Sequence, residues 1–368
     1  MSSTRSAASW IESLSPWPAD GFGLDRMRAL LRRLDDPQER FDAVHVVGTN
    51  GKSTTTRMTE TLLADARLKV GAYLSPHVRG WAERIRVGGA EADFERAVAR
   101  VRPVAEDATQ FEVLTAAALA EFAAAGVDAA VVEAGLGGRH DATNVLRSRV
   151  VVLTNVALDH MDVLGDTREA IAAEKLAVVR PGSTVVLWER EWEELARANG
   201  ASRVEVTGAS NLALAVSAAE AFLGRDVDPH AAERVMLPGR LERRGERPLE
   251  IWDGAHNLAA LGYLLPRLPT REYVVVASIL ADKRPDLMLE ALSVLGPSIV
   301  ATESRNRRSL GAGDLATRAE PYFQHVESIP DPHAARARAL ELAGPSGAVV
   351  VTGSLYLLSE LSGSGEHP

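Results

Sequence analysis

Cysteine is absent from the 368 residues, and lysine nearly so: four lysines stand beside thirty-seven arginines. Without thiols the chain forms neither disulfides nor thiolate metal sites, and a reducing, cytoplasmic setting is expected. No segment approaches about eighteen uninterrupted apolar residues, the length that would read as a membrane span. Residues 1–15 carry no basic region followed by an apolar stretch, so no secretory leader is expected. A formal net charge of −9 argues against a general nucleic-acid binder, whose affinity rests largely on neutralising phosphates. The run Arg305 to Arg308 therefore reads as a local feature. Internal repeats and low-complexity tracts are lacking as well.

The length exceeds one ordinary core and suggests two domains. Apolar content of 46% and charged content of 25% are those of a globular protein. Leu24, Met27, Leu30, Leu31 and Leu34 recur at helical spacing ahead of a first strand at Val44 to Val47. A helix over Ser53 to Ala66 and a strand at Lys69 to Leu74 follow. Next come a helix over Thr115 to Ala125, strands at Ala129 to Glu133 and Arg149 to Asn155, a helix over Arg168 to Val179 and a strand at Thr184 to Leu187. Strands alternating with helices imply a parallel sheet with crossovers. A helical stretch from Asn211 ends at Leu237-Pro238-Gly239-Arg240, the candidate boundary between residues 1–237 and 238–368. Short strands then restart at Leu249 to Trp252, Tyr273 to Ser278, Ser298 to Thr302 and Ala348 to Thr352. The fold class is α/β: an N-terminal domain with a mostly parallel sheet and a smaller, Rossmann-like α/β domain after it. Residues Ser362 to Pro368 are polar and expected to fray.

One of the rare lysines, Lys52, lies in Gly48-Thr49-Asn50-Gly51-Lys52-Ser53-Thr54, directly after the first apolar strand. Backbone N–H groups of such a turn, at the start of a helix, form a concave donor site for phosphate oxygens. Lys52 adds charge for the outer phosphates, and a hydroxyl at Ser53 or Thr54 can face magnesium. The general phosphate-loop pattern has glycine where this chain has Val46, so the loop is a variant class.

Glu133 ends a buried strand and is followed by Ala134-Gly135-Leu136-Gly137-Gly138-Arg139-His140-Asp141-Ala142-Thr143-Asn144. In an open parallel sheet the ligand crevice lies at such strand ends, which makes Glu133 a candidate magnesium ligand. Reading these glycines as a dinucleotide fingerprint fails, because His140 stands where a glycine or alanine belongs. The next strand releases Thr154-Asn155-Val156-Ala157-Leu158-Asp159-His160; His160 reads either as a metal ligand or as a structural histidine. Lys175, inside a mostly apolar helix, is either a snorkelling cation or a lysine kept because arginine cannot supply a neutral amine.

Together these residues resemble the folylpolyglutamate synthase and dihydrofolate synthase family, a branch of the Mur ligases. The resemblance spans nearly the whole chain. It takes in the loop Gly48 to Thr54, Ser75-Pro76-His77 with Glu83-Arg84-Ile85, Phe111 to Ala117, Glu133 to Asn144, Asp159-His160, Glu174-Lys175, Pro238-Gly239-Arg240, Asp253 to Asn257 and Ala281-Asp282-Lys283. It implies an ATP-dependent ligase that forms an amide between L-glutamate and a dihydropteroate or folate carboxylate through an acyl phosphate. The resemblance makes Ser75, Glu133 and His160 magnesium ligands and Lys175 a carbamate formed with carbon dioxide. It gives Asn50, Gly51, Lys52, Ser53, Thr54, Asn211, Arg240 and Asp253 to ATP, and places Gln110, Phe111, Glu112 and Thr115 on the acyl-substrate side. Catalysis would rest on Lys52, Lys175 and His160, in a monomer that binds neither membrane nor nucleic acid. The family loop usually has glycine where Ser53 stands, and the chain is short for the family. A Mur-type ligase with a non-folate acceptor is the alternative within this class; a phosphate-loop ATPase or kinase is the alternative outside it.

Overall fold

Residues 6–18 and 21–363 are described by a computed structural model. The chain divides into two units, residues 1–77 with 81–235 and residues 78–80 with 236–368. The first is built on eight strands: β1 (Asp42–Val47), β2 (Val70–Tyr73), β3 (Ile85–Val87), β4 (Ala90–Glu91), β5 (Ala129–Glu133), β6 (Ser148–Leu153), β7 (Thr184–Leu187) and β8 (Arg203–Val206). Their order is β4-β3-β2-β5-β1-β6-β7-β8, with β3 and β4 antiparallel and the other neighbours parallel. Helices cover both faces, so the central strands are valine-rich throughout instead of alternating with polar residues. Val44, Val46, Val131 and Val152 point into the same core as Leu62 and Leu214, from the helices Lys52–Asp65 and Asn211–Leu223. On the opposite face, Ala130 and Val132 meet the helix Gln110–Ala125, and Val151 and Leu153 meet the helix Arg168–Leu176. Each of these valines is fully buried and contributes about 2 kcal/mol of transfer free energy.

The second unit carries β9 (Glu242–Glu246), β10 (Leu249–Trp252), β11 (Tyr273–Ala277), β12 (Ser298–Ala301), β13 (His325–Ser328) and β14 (Ala348–Thr352). Their order is β13-β12-β11-β14-β10-β9, parallel except for the antiparallel edge strand β9. Residues 78–80 dock here: Val78 packs with Leu355 and Leu358, the Ser362 hydroxyl donates to the Val78 carbonyl at 2.8 Å, and Arg79 pairs with Glu242 at 3.2 Å.

Several sequence expectations shift for identifiable reasons. The helix expected from Thr115 begins at Gln110, because Thr109 and Glu112 form a reciprocal capping box. The helix from Asn211 stops at Leu223, where Gly224 takes a left-handed φ of 69°; residues from there to Pro238 hold only the short helix His230–Glu233. Strands β3, β4, β8, β9 and β13 were not expected from sequence. They are short, lie toward the sheet edges and carry residues such as Arg86, Glu91, Glu205, Arg243 and Glu327. Ser362 is helical instead of frayed, and residues 364–368 lie outside the described residues. Among the described residues no helix is long and apolar enough to cross a membrane.

Candidate active site

The carboxyl ends of β1, β5 and β6 bring the polar sequences together. Gly48 has φ of 146°, and a Cβ there would lie 1.9 Å from the Thr154 hydroxyl oxygen, so only glycine lets the loop pass the end of β6. Gly51, at φ of 83°, caps the helix Lys52–Asp65, and a Cβ on it would meet Asn211 Oδ1 at 2.4 Å. The segment after β6 then clamps the loop. Thr154 Oγ1 donates to the Asn50 carbonyl at 2.7 Å, and Asn155 Oδ1 accepts the Asn50 N–H at 2.8 Å. Thr49 Oγ1 accepts the Ala157 N–H at 3.1 Å. Asn155 was not singled out in sequence, although it lay in the polar stretch that drew attention to His160. Lys52 Nζ donates to the Thr49 carbonyl at 3.2 Å, folding back over the loop it would serve.

Glu133 is 1% exposed. The Ser53 hydroxyl donates to its Oε1 at 2.9 Å and the Ser75 N–H to its Oε2 at 3.0 Å. This settles which of the two candidate loop hydroxyls turns inward: Ser53 is buried and Thr54 is not. It also gives Ser53 a partner that the usual glycine would lack.

Lys175 is 4% exposed and its Nζ donates to the Gly48 carbonyl at 2.8 Å. Burial, reinforced by the charge of Lys52, pushes its pKa down to about 7. The helix that carries it is capped by Thr167, whose hydroxyl accepts the Ala170 N–H at 3.2 Å. His160 takes a left-handed φ of 51° at the start of the short helix Met161–Leu164; its N–H donates to Asp159 Oδ1 at 2.9 Å, and its ring is partly exposed. Among the described residues no three histidine, aspartate or glutamate groups converge to hold a metal.

Beneath the turn after Glu133 lies a buried polar chain that sequence reasoning missed. His45 Nε2 meets Thr143 Oγ1 at 2.8 Å, and the Thr143 hydroxyl donates to Asp141. Asp141 also accepts the N–H groups of Leu136 at 2.8 Å and Thr143 at 3.0 Å. Burial pushes the Asp141 carboxyl up, and burial with the charge of Arg180 pushes His45 down to about 3, so the imidazole is neutral. An isolated histidine in an apolar strand gave no sequence signal for this.

On the expected acyl-substrate side, Gln110 Nε2 donates to the Ile11 carbonyl at 3.1 Å and the Thr115 hydroxyl to the Phe111 carbonyl at 2.8 Å. Glu112 accepts the Thr109 N–H at 2.8 Å and pairs with Arg26 at 3.3 Å. Those three side chains brace the helix start, which leaves Phe111 facing the Gly135 backbone. Asn211 opens its helix with Oδ1 3.5 Å from Thr55 Oγ1. Arg240 and Asp253 lie in the second unit. Asp253 accepts the N–H groups of Leu241 at 2.8 Å and Ala255 at 2.9 Å; burial raises its pKa, opposed by the charge of Arg240.

The Mur ligase middle domain family matches residues 46–228, and the Mur ligase glutamate ligase domain family matches residues 239–355. The dihydrofolate synthase/folylpolyglutamate synthase of Mycobacterium tuberculosis is 31% identical over 83% of this chain and 80% of its own length. The structure of Escherichia coli FolC in complex with DHPP and ADP superposes with a TM-score of 0.87 at 29% identity, covering 97% of both chains. A bifunctional folylpolyglutamate synthase/dihydrofolate synthase with Mn, AMPPNP and L-glutamate bound also gives 0.87, at 28% identity over 98% of both. The chain belongs to the dihydrofolate synthase/folylpolyglutamate synthase family of Mur ligases.

Proposed function

We propose that the protein is an ATP-dependent ligase that joins the amino group of L-glutamate to a pteroate or folate carboxylate. The observation that carries this reading is the meeting, at one sheet edge, of a phosphate-type loop with a buried carboxylate and a buried lysine. Lys175 reaches the loop's own Gly48 carbonyl, and Ser53 of the loop reaches Glu133. The relatives' complexes with ADP, or with Mn, AMPPNP and L-glutamate, support the same reading.

Each group has a task that follows from its chemistry. A carboxylate is a poor electrophile, so the γ-phosphoryl group of ATP is first transferred to it. The loop N–H groups and Lys52 stabilise charge on the transferring group. The glutamate amine, as free base, then attacks the acyl carbon and phosphate leaves. Asn50 to Thr54 hold the phosphates, with Asn211 as a further nucleotide contact, and Phe111 lies on the acyl-substrate side.

Glu133 offers a hard carboxylate suited to a divalent cation such as magnesium, and Ser75, whose N–H reaches it at 3.0 Å, and His160 would join the holding set. When bound, the cation neutralises charge on the phosphates and on the transferring oxygen. Lys175 completes the set if its amine condenses with carbon dioxide, releasing a proton and leaving an anionic carbamate. A pKa near 7 supports this, because only the unprotonated amine reacts. A monomer in the cytoplasm is part of the same proposal.

The test is ADP release with dihydropteroate or tetrahydrofolate, each with and without L-glutamate, followed by product masses. ADP release that requires both acceptor and glutamate, with a mass gain of one glutamyl residue, is expected. Turnover needing neither would identify an ATPase instead. A requirement for glutamate with no folate-type acceptor accepted would point to a Mur-type ligase acting on another carboxylate.

A further inference from the structure

The glycine-rich turn that follows Glu133 touches the segments bearing Phe111, His160 and Lys175, each through a different glycine. A Cβ on Gly135 would lie 2.5 Å from the Phe111 ring. On Gly137 it would lie 2.8 Å from Leu164, four residues after His160. On Gly138 it would lie 2.6 Å from the Glu174 carbonyl oxygen and 2.7 Å from that of Lys175. The Arg139 N–H donates to the same Glu174 carbonyl at 3.0 Å, and the Arg139 and Glu174 side chains pair at 2.8 Å. The turn itself is held from below by Asp141, Thr143 and His45.

We infer that this turn is the common seat that sets the positions of the segments bearing Glu133, His160, Lys175 and Phe111, and that its glycines are positioning residues with separable effects. The inference rests on the ligase reading for the roles of those side chains. Its physical basis is hardness. The Glu174 and Lys175 carbonyls belong to helix backbone and cannot rotate away, so a methyl group at Gly138 must displace the Lys175 segment. The Phe111 ring is a side chain, so a methyl at Gly135 displaces that ring and leaves the Lys175 backbone in place. Neither glycine has a positive φ, so alanine at either position acts through contact and not through backbone strain. Interiors packed at crystal density pass such displacements on to the next group.

Two variants separate the effects. In Gly138→Ala, the affinity of the nucleotide-bound protein for Mn2+, read by electron paramagnetic resonance without turnover, should fall about tenfold, the scale for disturbed supports of metal ligands. Its KM for the acyl substrate should stay within about twofold. In Gly135→Ala the pattern reverses: the acyl-substrate KM rises about tenfold, because the displaced ring crowds the substrate, while Mn2+ affinity holds. Adding Phe111→Leu to Gly135→Ala makes room for the methyl and should restore the thermal midpoint if it has slipped. Should Gly138→Ala fail to fold, Arg139→Ala loosens the same contact from the exposed side and should weaken Mn2+ binding severalfold. Unchanged Mn2+ binding in the folded variant of this pair, or matching profiles for Gly135→Ala and Gly138→Ala, overturns the inference. Absence of glutamate-dependent amide formation by the unaltered protein would instead overturn the ligase reading.

Discussion

Lys175 in the first unit and Arg336 in the second both pack against a mostly parallel sheet, and their surroundings treat the positive charge in opposite ways. Lys175 faces a backbone carbonyl and feels the like charge of Lys52, and its pKa is pushed down to about 7 by burial. Arg336 grips the buried Glu250 with two bonds of 2.6 and 2.7 Å, and that pairing raises its pKa. The carboxylates differ in parallel. Glu133 accepts from a serine hydroxyl and a backbone N–H, whereas Glu250 accepts from a guanidinium and from Trp252 Nε1 at 2.6 Å. A bidentate pair settles both charges and acts as a girder. An amine held in a low-dielectric pocket without that settlement is poised to lose its proton and react. The comparison teaches that burial alone does not separate chemistry from architecture, but the partner does.

The largest effect that sharpens this contrast is expected at Lys175. Lys175→Arg and Lys175→Ala should both lose about a hundredfold or more in ligase rate, since neither can form a carbamate. Small carboxylates added to the alanine variant should recover part of the rate. An active arginine variant would reduce Lys175 to a second girder. Stability gives an independent reading. With a folded pKa near 7 against 10.5 unfolded, the native state loses its proton first, so stability should rise with pH between about 7 and 10.5. Lys175→Met should flatten that rise in chemical denaturation carried out without metal or carbon dioxide.

Breaking the girder is the next largest effect. Glu250→Gln leaves Arg336 facing a neutral amide and should cost about 3 kcal/mol in denaturation. The ligase rate of the folded fraction should be unchanged, and a selective loss of rate would erase the distinction drawn between the units.

Both kinds of buried charge were only partly visible in sequence. The strands Ala129–Glu133, Thr184–Leu187 and Ala348–Thr352 have the limits that their valine-rich runs suggest, because burial on both faces leaves a nearly continuous apolar signal. The edge strand β9 reads Glu-Arg-Arg-Gly-Glu, which no hydrophobic period marks, and pairing with β10 makes it a strand. At the site, the loop, Glu133 and Lys175 stood out because glycine spacing and the scarcity of lysine are local properties. The Asp141, Thr143 and His45 chain did not, since His45 and Thr143 are ninety-eight positions apart and meet only across the fold. Glu250 and Arg336, eighty-six apart, escaped for the same reason.

His45 tests whether a buried neutral imidazole behaves as part of the architecture. Its folded pKa near 3 lies below the ordinary 6.5, so on acidification the unfolded chain takes up a proton before the native one does. Stability should therefore fall as pH drops from about 6.5 toward 3, by about 2 kcal/mol at pH 5. His45→Gln keeps a side-chain donor for Thr143 without the titration, and its denaturation midpoint should depend less on pH in that window. An unchanged acid slope would place the sensitivity in other groups.

The smallest expected effect probes one neutral donor on each of the two carboxylates. Ser53 stands where the family loop usually has glycine, and its hydroxyl donates to Glu133 at 2.9 Å. Ser53→Ala deletes that bond, worth about 1 kcal/mol, so the magnesium concentration for half-maximal activity should shift about fivefold. The direction is upward if the bond orients the carboxylate toward the cation, because the freed group must be ordered when the cation binds. Ser53→Thr retains the hydroxyl and should lie close to the unaltered protein. Trp252→Phe is the matching deletion in the second unit, removing a neutral N–H donor from Glu250. It should lower the thermal midpoint and leave the magnesium titration where it was. A magnesium shift in the tryptophan variant, or none in Ser53→Ala, would show that the donor on Glu133 does no more than the donor on Glu250.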